Sequence, residues 1–511
     1  MSRTSRVLAS VSLGYVQLAL SMLFGLWFTP VLLHRIGSSD FGLWAAGMPI
    51  LVYVALVDFG VLTIFQRDVA FALGEAQGEP ANIVLLPSMV GATLRLVLLQ
   101  MPFLLAAVVI AWVCLPARWN ALHIPLAITL SCLVVTFPFR LYHALLAGLQ
   151  ELRFLGTLSI VTWGLGAVAS ATLVFAGCRL NALAISWSMS QLVMYGGCFL
   201  RVRSRFPRAI AGGLPPLTRT EAKAKLGKGF WVIVSQVAVT MAAGTDLVVI
   251  AARLGPSMVT PYTITDKLVT MANNLPLMIL AAAQPALSEL STSGARERLS
   301  NVCFGLTRAV LLVSGLIATV VVIVDQGFVD WWIGPSEFGG RALVFLLVAD
   351  MLTGHWTAAT IYALFSFGNE RLISVISVTG GILTLGATIL LVGRLGPMGA
   401  PLAAIIVRAL VTLPVLLSAT SRAIGGQVGS LLWSVISLFW RLCLLLGAGV
   451  LATRSWIPRT VLQLSVAGTA AVLVYAVVMS PLAFSGPLGV YTRPRFIALR
   501  RWLGRGLARP G

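Results

Sequence analysis

Six basic side chains interrupt stretches otherwise apolar enough to cross a membrane: Arg95, Arg140, Lys267, Arg308, Arg408 and Arg441. Four acids lie at similar depth, Asp58, Asp246, Asp266 and Asp350. A charge at the bilayer centre costs about 2.5–3.5 kcal/mol even on the insertion scale, so such groups face a cavity or a partner. Cations outnumber acids, and a net-positive, water-filled interior suits an anionic substrate. Arginine offers a planar fork of donors matched to phosphate oxygens, which points to a phosphorylated cargo held weakly at several groups. A structural reading stands beside each residue. Arg308 and Arg140 lie near span ends, where snorkelling is the alternative. Arg95 and Arg441 have the alternative of an acid on another helix. Arg408, near mid-span, is the first candidate for a substrate contact. Lys267 adjoins Asp266, but helix neighbours point different ways, so the two need separate partners.

Polar groups without charge add to this set. Asn273 and Asn274 precede Pro276. Two carboxamides at a proline break either bond sugar hydroxyls or satisfy freed backbone groups. Gln17 and Gln236 are interhelical glue or cavity lining. Asp350 and His355 are five residues apart and do not share one face squarely, which leaves a proton relay between them open. Asp58 and Asp246 are equally open as cation-coupling sites. The six cysteines form no C-x-x-C pair and the four histidines lack ligand spacing, so no disulfide, metal site or cofactor is expected. The segment Leu226 to Phe230, LGKGF, lacks the upstream glycine and following Ser/Thr of a phosphate loop. Transport therefore has to run on an ion gradient, the membrane potential or the substrate's own gradient.

The elements that position these residues are membrane spans. The chain of 511 residues is 58% hydrophobic and 10% charged, against about 25% charged in soluble proteins. Spans are expected near 11–33, 41–66, 83–114, 124–147, 157–176, 180–200, 229–252, 264–286, 304–325, 341–367, 372–393, 398–420, 431–452 and 460–480, by the rule of roughly 20 apolar residues each. Arg3 and Arg6 precede an apolar run too long for a secretory leader, which predicts a retained first span. The net charge of +20 sits mostly in loops of one side. The positive-inside rule then puts the amino terminus, the 201–228 linker and the 481–511 tail in the cytoplasm. The basic residues lie in short loops rather than on a soluble face, which excludes nucleic-acid binding. The tail is either an ordinary basic anchor or an amphipathic segment on anionic lipid.

The two sides of the linker echo each other. Gln17, Gly25 and Arg35-Ile36-Gly37 are answered by Gln236, Gly244 and Arg253-Leu254-Gly255 at a near-constant offset. His143-Ala144-Leu145 with Gln150-Glu151 is answered by Tyr362-Ala363-Leu364 with Asn369-Glu370. Duplication and fusion give two parallel repeats, an arrangement from which many transporters are built. The expected architecture is an all-α polytopic membrane protein of about 14 transmembrane helices: a six-helix lobe over 1–200, the linker, a six-helix lobe over 229–425, two further helices over 426–480 and the tail.

Arg35-Ile36-Gly37, Phe41-Gly42-Leu43, Asp58-Phe59-Gly60 and Arg67 resemble a pattern of oligosaccharide flippases in the polysaccharide transporter family, within the multidrug/oligosaccharidyl-lipid/polysaccharide superfamily. Asp246, Arg253-Leu254-Gly255, Tyr262, Lys267, Pro285 and Gly396-x-x-Gly399-Ala400 are similar to that family's second-half pattern. The resemblance implies two pseudo-symmetric lobes around a central cavity and alternating access. It implies an undecaprenyl-diphosphate-linked oligosaccharide as cargo, turned from the cytoplasmic to the periplasmic leaflet of a bacterial inner membrane for O-antigen or exopolysaccharide synthesis. Membrane lipid and other polysaccharide-assembly proteins are the partners it suggests. Asp58, Asp246, Asp266 and Lys267 would lie on its cavity-lining helices. Three alternatives remain: a drug/cation antiporter of the same superfamily, a lipid II flippase, and a membrane polymerase or ligase. The last would be expected to carry a large external loop. The longest candidate, 325–340, is short and holds an aromatic anchor, Trp331-Trp332.

Overall fold

The computed structural model describes residues 3–76, 79–210, 244–292, 296–367, 369–424 and 428–485. Every regular element among them is helical. The protein is an all-α polytopic membrane protein, and the chain divides after Thr260 into two compact units.

The first unit contains α1 (Arg3–Ile36), α2 (Ser38–Ala55), α3 (Val61–Glu75), α4 (Leu86–Val113), α5 (Asn120–Thr136), α6 (Arg140–Gly148), α7 (Leu152–Phe175), α8 (Arg179–Arg205), a short α9 (Pro207–Ile210) and α10 (Thr245–Leu254). Then come α11 (Val259–Thr265), α12 (Lys267–Ala272), α13 (Asn274–Thr292), α14 (Arg296–Trp332), α15 (Arg341–Ser366), α16 (Glu370–Leu395), α17 (Gly399–Val407), α18 (Leu413–Ile424), α19 (Val428–Ser455) and α20 (Val461–Ala483). Eleven described stretches are long and apolar enough to cross a bilayer. One of them, 371–423, is α16 folded back on α17 and α18 at Gly396, so it makes two crossings. The span expected at 229–252, the linker beyond Ile210 and the tail beyond Ser485 lie outside the described residues, except for the helix that starts at Thr245.

Several expected spans are broken, each for a local reason. The stretch 41–66 is α2, a 3-10 turn at Leu56–Asp58, then α3. Asp58 Oδ1 accepts the Gly60 N–H at 2.6 Å, a local bond that competes with the helix. Gly60, at φ +66, takes a backbone shape that glycine adopts without a Cβ penalty. Gln100 Nε2 on α4 donates to the freed Asp58 carbonyl at 2.9 Å. The stretch 124–147 breaks around Pro138, which has no N–H to give, into α5 and α6. The second halves of both broken spans, α3 and α6, pack together at Gly148, where a Cβ would lie 2.8 Å from Val69 and the Gln66 carbonyl. The stretch 264–286 becomes α12 and α13, with Pro276 in the first turn of α13, where a missing N–H costs little. Ahead of Pro414 the helix widens into a π turn at Arg408–Thr412, because proline cannot donate to the carbonyl four residues back. By contrast α4 runs unbroken for 28 residues, about 42 Å at 1.5 Å per residue, and needs tilt to fit a ~30 Å core.

Counterpart positions of the expected repeat share backbone shape and burial. Gly37 ends its helix at φ +87, ψ 158, and Gly255 does so at φ +99, ψ 158. The two turns meet: a Cβ on Gly42 would run into the Pro256 carbonyl, and Thr260 Oγ1 donates to the Ser38 carbonyl at 2.6 Å. Leu145 and its counterpart Leu364 are both fully buried.

Candidate functional site

Within the first unit, α1, α2, α7 and α8 line an open cavity of about 710 Å³, inside the roughly 300–1,000 Å³ range of ligand sites. Helical spacing puts its lining on two facing stripes. From α7 come Ser159, Thr162, Trp163, Gly166 and Ser170, and from α8 come Ser186, Trp187, Ser190, Gln191 and Tyr195. Residues three and four apart share a helix face, so these are single stripes. Gly166 lets the helices close up, since a Cβ there would run into Ser190 Oγ. From α1 come Gln17 and Phe24, from α2 Trp44, and from α6 His143.

The hydroxyl protons are mostly committed. Thr162 donates to the Ser159 carbonyl at 3.1 Å, Ser186 to Leu183 at 3.1 Å and Ser190 to Ser186 at 3.0 Å. Ser159 donates to Gln17 Oε1 at 2.8 Å. The oxygens keep lone pairs, so these four hydroxyls offer acceptors. Phe24 stands edge-on to Trp163 at 5.9 Å, and His143 edge-on to Tyr195 at 6.3 Å. Among the described residues, no Asp, Glu, Lys or Arg lines the cavity. Faces of tryptophan, hydroxyl acceptors and no formal charge suit a neutral, donor-rich ligand such as a sugar. A larger cavity of about 830 Å³ lies by Glu151, Arg205 and Arg208. Its wall runs up to undescribed residues, and Glu151 is engaged by Arg201 at 2.8 Å, so we place the candidate site at the tryptophan-lined cavity.

The charged residues singled out by sequence lie elsewhere, in small groups. Arg140, at the start of α6, is the electrostatic neighbour of buried Asp58 across the two helix breaks. Its guanidinium carbon stands 5.9 Å from the Phe137 ring centroid, and its buried Nη1 has no hydrogen-bond acceptor. Arg95 is half-buried on α4. Asp246 opens α10 and accepts the Leu247 N–H at 2.9 Å. In the second unit Arg408 forms an ion pair with Asp350 and also donates to the Asp350 carbonyl at 3.0 Å. His355 is buried, its Nε2 donating to the Asn273 carbonyl at 2.9 Å while Nδ1 faces Ser314 Oγ at 2.8 Å. His355 thus engages the break beside Asn273, where Asn274 is exposed. Asp266 accepts the Thr270 hydroxyl at 2.6 Å, and Lys267 next to it is half-buried. Arg308 and Arg441 both reach carbonyls at the end of α20, Ser485 at 3.4 Å and Val478 at 3.2 Å.

Sequence reasoning overlooked two features. The cavity stripes carry no formal charge, so a search for intramembrane charges passes over them; a stripe of Ser, Thr, Gln and Trp every three or four residues was the available signal. Asp325 was placed in an external loop, yet it lies within α14, fully buried, with neither carboxylate oxygen hydrogen-bonded.

No protein-family model matches the chain, and no curated protein matches it in sequence. Its fold is similar to that of the lipid II flippase MurJ in an inward closed conformation, with TM-score 0.64 and 12% identity over 93% of this chain and 99% of that one. It is similar to an inward-facing multidrug resistance MATE family transporter of the MOP superfamily, with TM-score 0.57 and 13% identity over 80% of this chain and 94% of that one. An outward-facing form of a MATE family transporter gives TM-score 0.51 and 14% identity, over 83% and 96%. The chain has the fold of this group of membrane transporters.

Proposed function

We propose that the protein is a flippase that moves a polyprenyl-diphosphate-linked oligosaccharide from the cytoplasmic to the periplasmic leaflet of a bacterial inner membrane, for surface polysaccharide synthesis. The observation that carries the oligosaccharide is the uncharged, tryptophan- and hydroxyl-lined cavity of the first unit. The fold likeness supports a lipid-linked cargo, because the flippase fold extends over 93% of this chain while the multidrug transporter fold covers 80%. An antiporter for cationic drugs wants a carboxylate in its cavity, and the described residues of this wall include none. The residues that would meet the diphosphate are basic ones outside that wall.

The test is a deletion strain in which lipid-linked oligosaccharides are extracted and assigned to a leaflet while surface polymer is scored. Accumulation on the cytoplasmic side with loss of polymer is expected. Accumulation of lipid II instead makes the cargo the peptidoglycan precursor. Intact polymer with altered drug sensitivity overturns the proposal in favour of an antiporter.

A further inference from the structure

Arg308 on α14 and Arg441 on α19 converge on the last two turns of α20, where Arg441 Nη1 donates to the Val478 carbonyl and Arg308 Nη1, at a longer 3.4 Å, to that of Ser485. We propose that these two guanidiniums form a binding site for the phosphate group of a membrane lipid, lying outside the first-unit cavity.

Three observations carry it. First, the pair is unbalanced. The two guanidiniums act on each other as like charges, and no carboxylate among the described residues forms an ion pair with either. Neither α19 nor α20 contains an acid. On α14, Glu297 lies three turns before Arg308, and Asp325 and Asp330 more than four turns beyond it; on α15 Asp350 is paired with Arg408. Two cations side by side in a low-dielectric setting need an anion. Second, the donors are underused. Each guanidinium has five N–H groups, yet among the described residues each makes a single hydrogen bond, and Arg308 Nε is buried without an acceptor. A phosphate offers oxygens in the geometry such forks match. Third, the place faces lipid. Ser485 lies just past the end of α20, so Arg308 reaches toward that end, while Arg441 lies midway along α19 and bonds α20 at Val478, before its end. Trp440, whose ring lies 5.3 Å from the Arg441 guanidinium carbon, is about half exposed, as are its neighbours Ile436 and Leu444 along α19. An aromatic beside a cation, flanked by bare aliphatic surface, suits a face that meets lipid.

The competing role is capping: arginines near a helix C-terminus satisfy its last carbonyls. The two roles separate experimentally. Full-length protein is purified, stripped of lipid, and its thermal stability and lipid retention are followed by native mass spectrometry. The probes are phosphatidylglycerol, undecaprenyl phosphate and inorganic phosphate. Wild type is expected to retain one phosphate-bearing lipid, and each Arg→Gln change at 308 or 441 to weaken retention about tenfold, the worth of a charge-assisted bond. Glutamine still donates to a carbonyl, so the Arg308→Gln/Arg441→Gln protein is expected to be at least as stable as wild type without lipid, because a repulsion is gone. Selective retention of undecaprenyl phosphate assigns the site to cargo, and retention of phosphatidylglycerol alone assigns it to a resident phospholipid. Equal retention by wild type and double variant overturns the site. Binding of inorganic phosphate with no lipid preference overturns its membrane role, and a destabilised double variant with unchanged retention establishes capping instead. None of these readouts requires flipping, so the site stands or falls separately from the flippase proposal.

Discussion

Arg408 was the first candidate for a substrate contact, and the structure gives it a partner. It pairs with Asp350 from within a π turn, and both side chains are about a quarter exposed, 24% and 28%. Fully exposed pairs are worth about 0–1 kcal/mol and breaking a fully buried one costs about 3–5 kcal/mol. Partial exposure places this pair between the two, at about 2 kcal/mol for either Arg408→Leu or Asp350→Leu. Most of that is the cost of leaving the other charge alone in an apolar helix. The double substitution leaves no stranded charge, so it is expected to cost less than the two singles together, with a coupling of about 1.5 kcal/mol. The assay is equilibrium unfolding of the purified protein in mixed detergent–SDS micelles for the four proteins of the cycle. A coupling under about 0.5 kcal/mol refutes the argument, because contacting charges should not be additive. Flipping measured in the same four proteins then decides the role. If the pair is structural, activity lost in the singles returns in the double. If Arg408 meets cargo, the double is well folded and silent.

Other expectations follow from single contacts. His355→Leu removes the group that bonds the Asn273 carbonyl and Ser314, and should cost about 1–3 kcal/mol, read as a fall in melting temperature; an unchanged melting temperature means that the break at Asn273 does not depend on it. Gly42→Ala drives a methyl into the Pro256 carbonyl and should destabilise by about 1–3 kcal/mol, whereas Gly14→Ala, with open space around it, should raise or preserve stability. Asp325→Asn replaces a buried, unbonded carboxyl by a neutral amide and is predicted to leave the melting temperature equal or higher; a large fall would show that the acid has a partner the geometry does not reveal. Trp163→Ala should lower flipping while Trp163→Phe retains most of it, measured at equal protein level; equal activity in both removes the cavity from the transport path.

The sequence made the helices legible because hydropathy counts residues, and a span is first of all a count of apolar residues. One pair of positions in the expected repeat also behaves alike: Arg-Ile-Gly and Arg-Leu-Gly end helices in nearly the same backbone shape. The breaks at Asp58–Gly60 and Phe137–Phe139 were not legible, although Asp58 and Gly60 stand in the quoted motifs. A hydropathy window registers side-chain polarity, while these breaks are decided by where one N–H goes. The pairing of Arg408 with Asp350 was missed because the two charges were weighed as separate groups on separate helices. Only packing of α15 against the π turn brings them together.

That pairing changes what intramembrane charge means in this chain. A positive interior adds cations and acids over the whole chain, yet within each unit they fall into separate groups. Asp350 neutralises Arg408, Asp58 is the electrostatic neighbour of Arg140, and Arg308 with Arg441 remains a surplus in the second unit. Among the described residues, no charged side chain lines the tryptophan-lined cavity. For an amphiphilic cargo this separation is chemically sensible. A sugar gains little from a guanidinium that must be desolvated, and a phosphate gains little from a tryptophan face. Recognition of each part by its own surface lets neither bind so tightly that release becomes limiting, and it predicts that changes at the tryptophans and at the arginine pair should act independently on transport and on lipid retention.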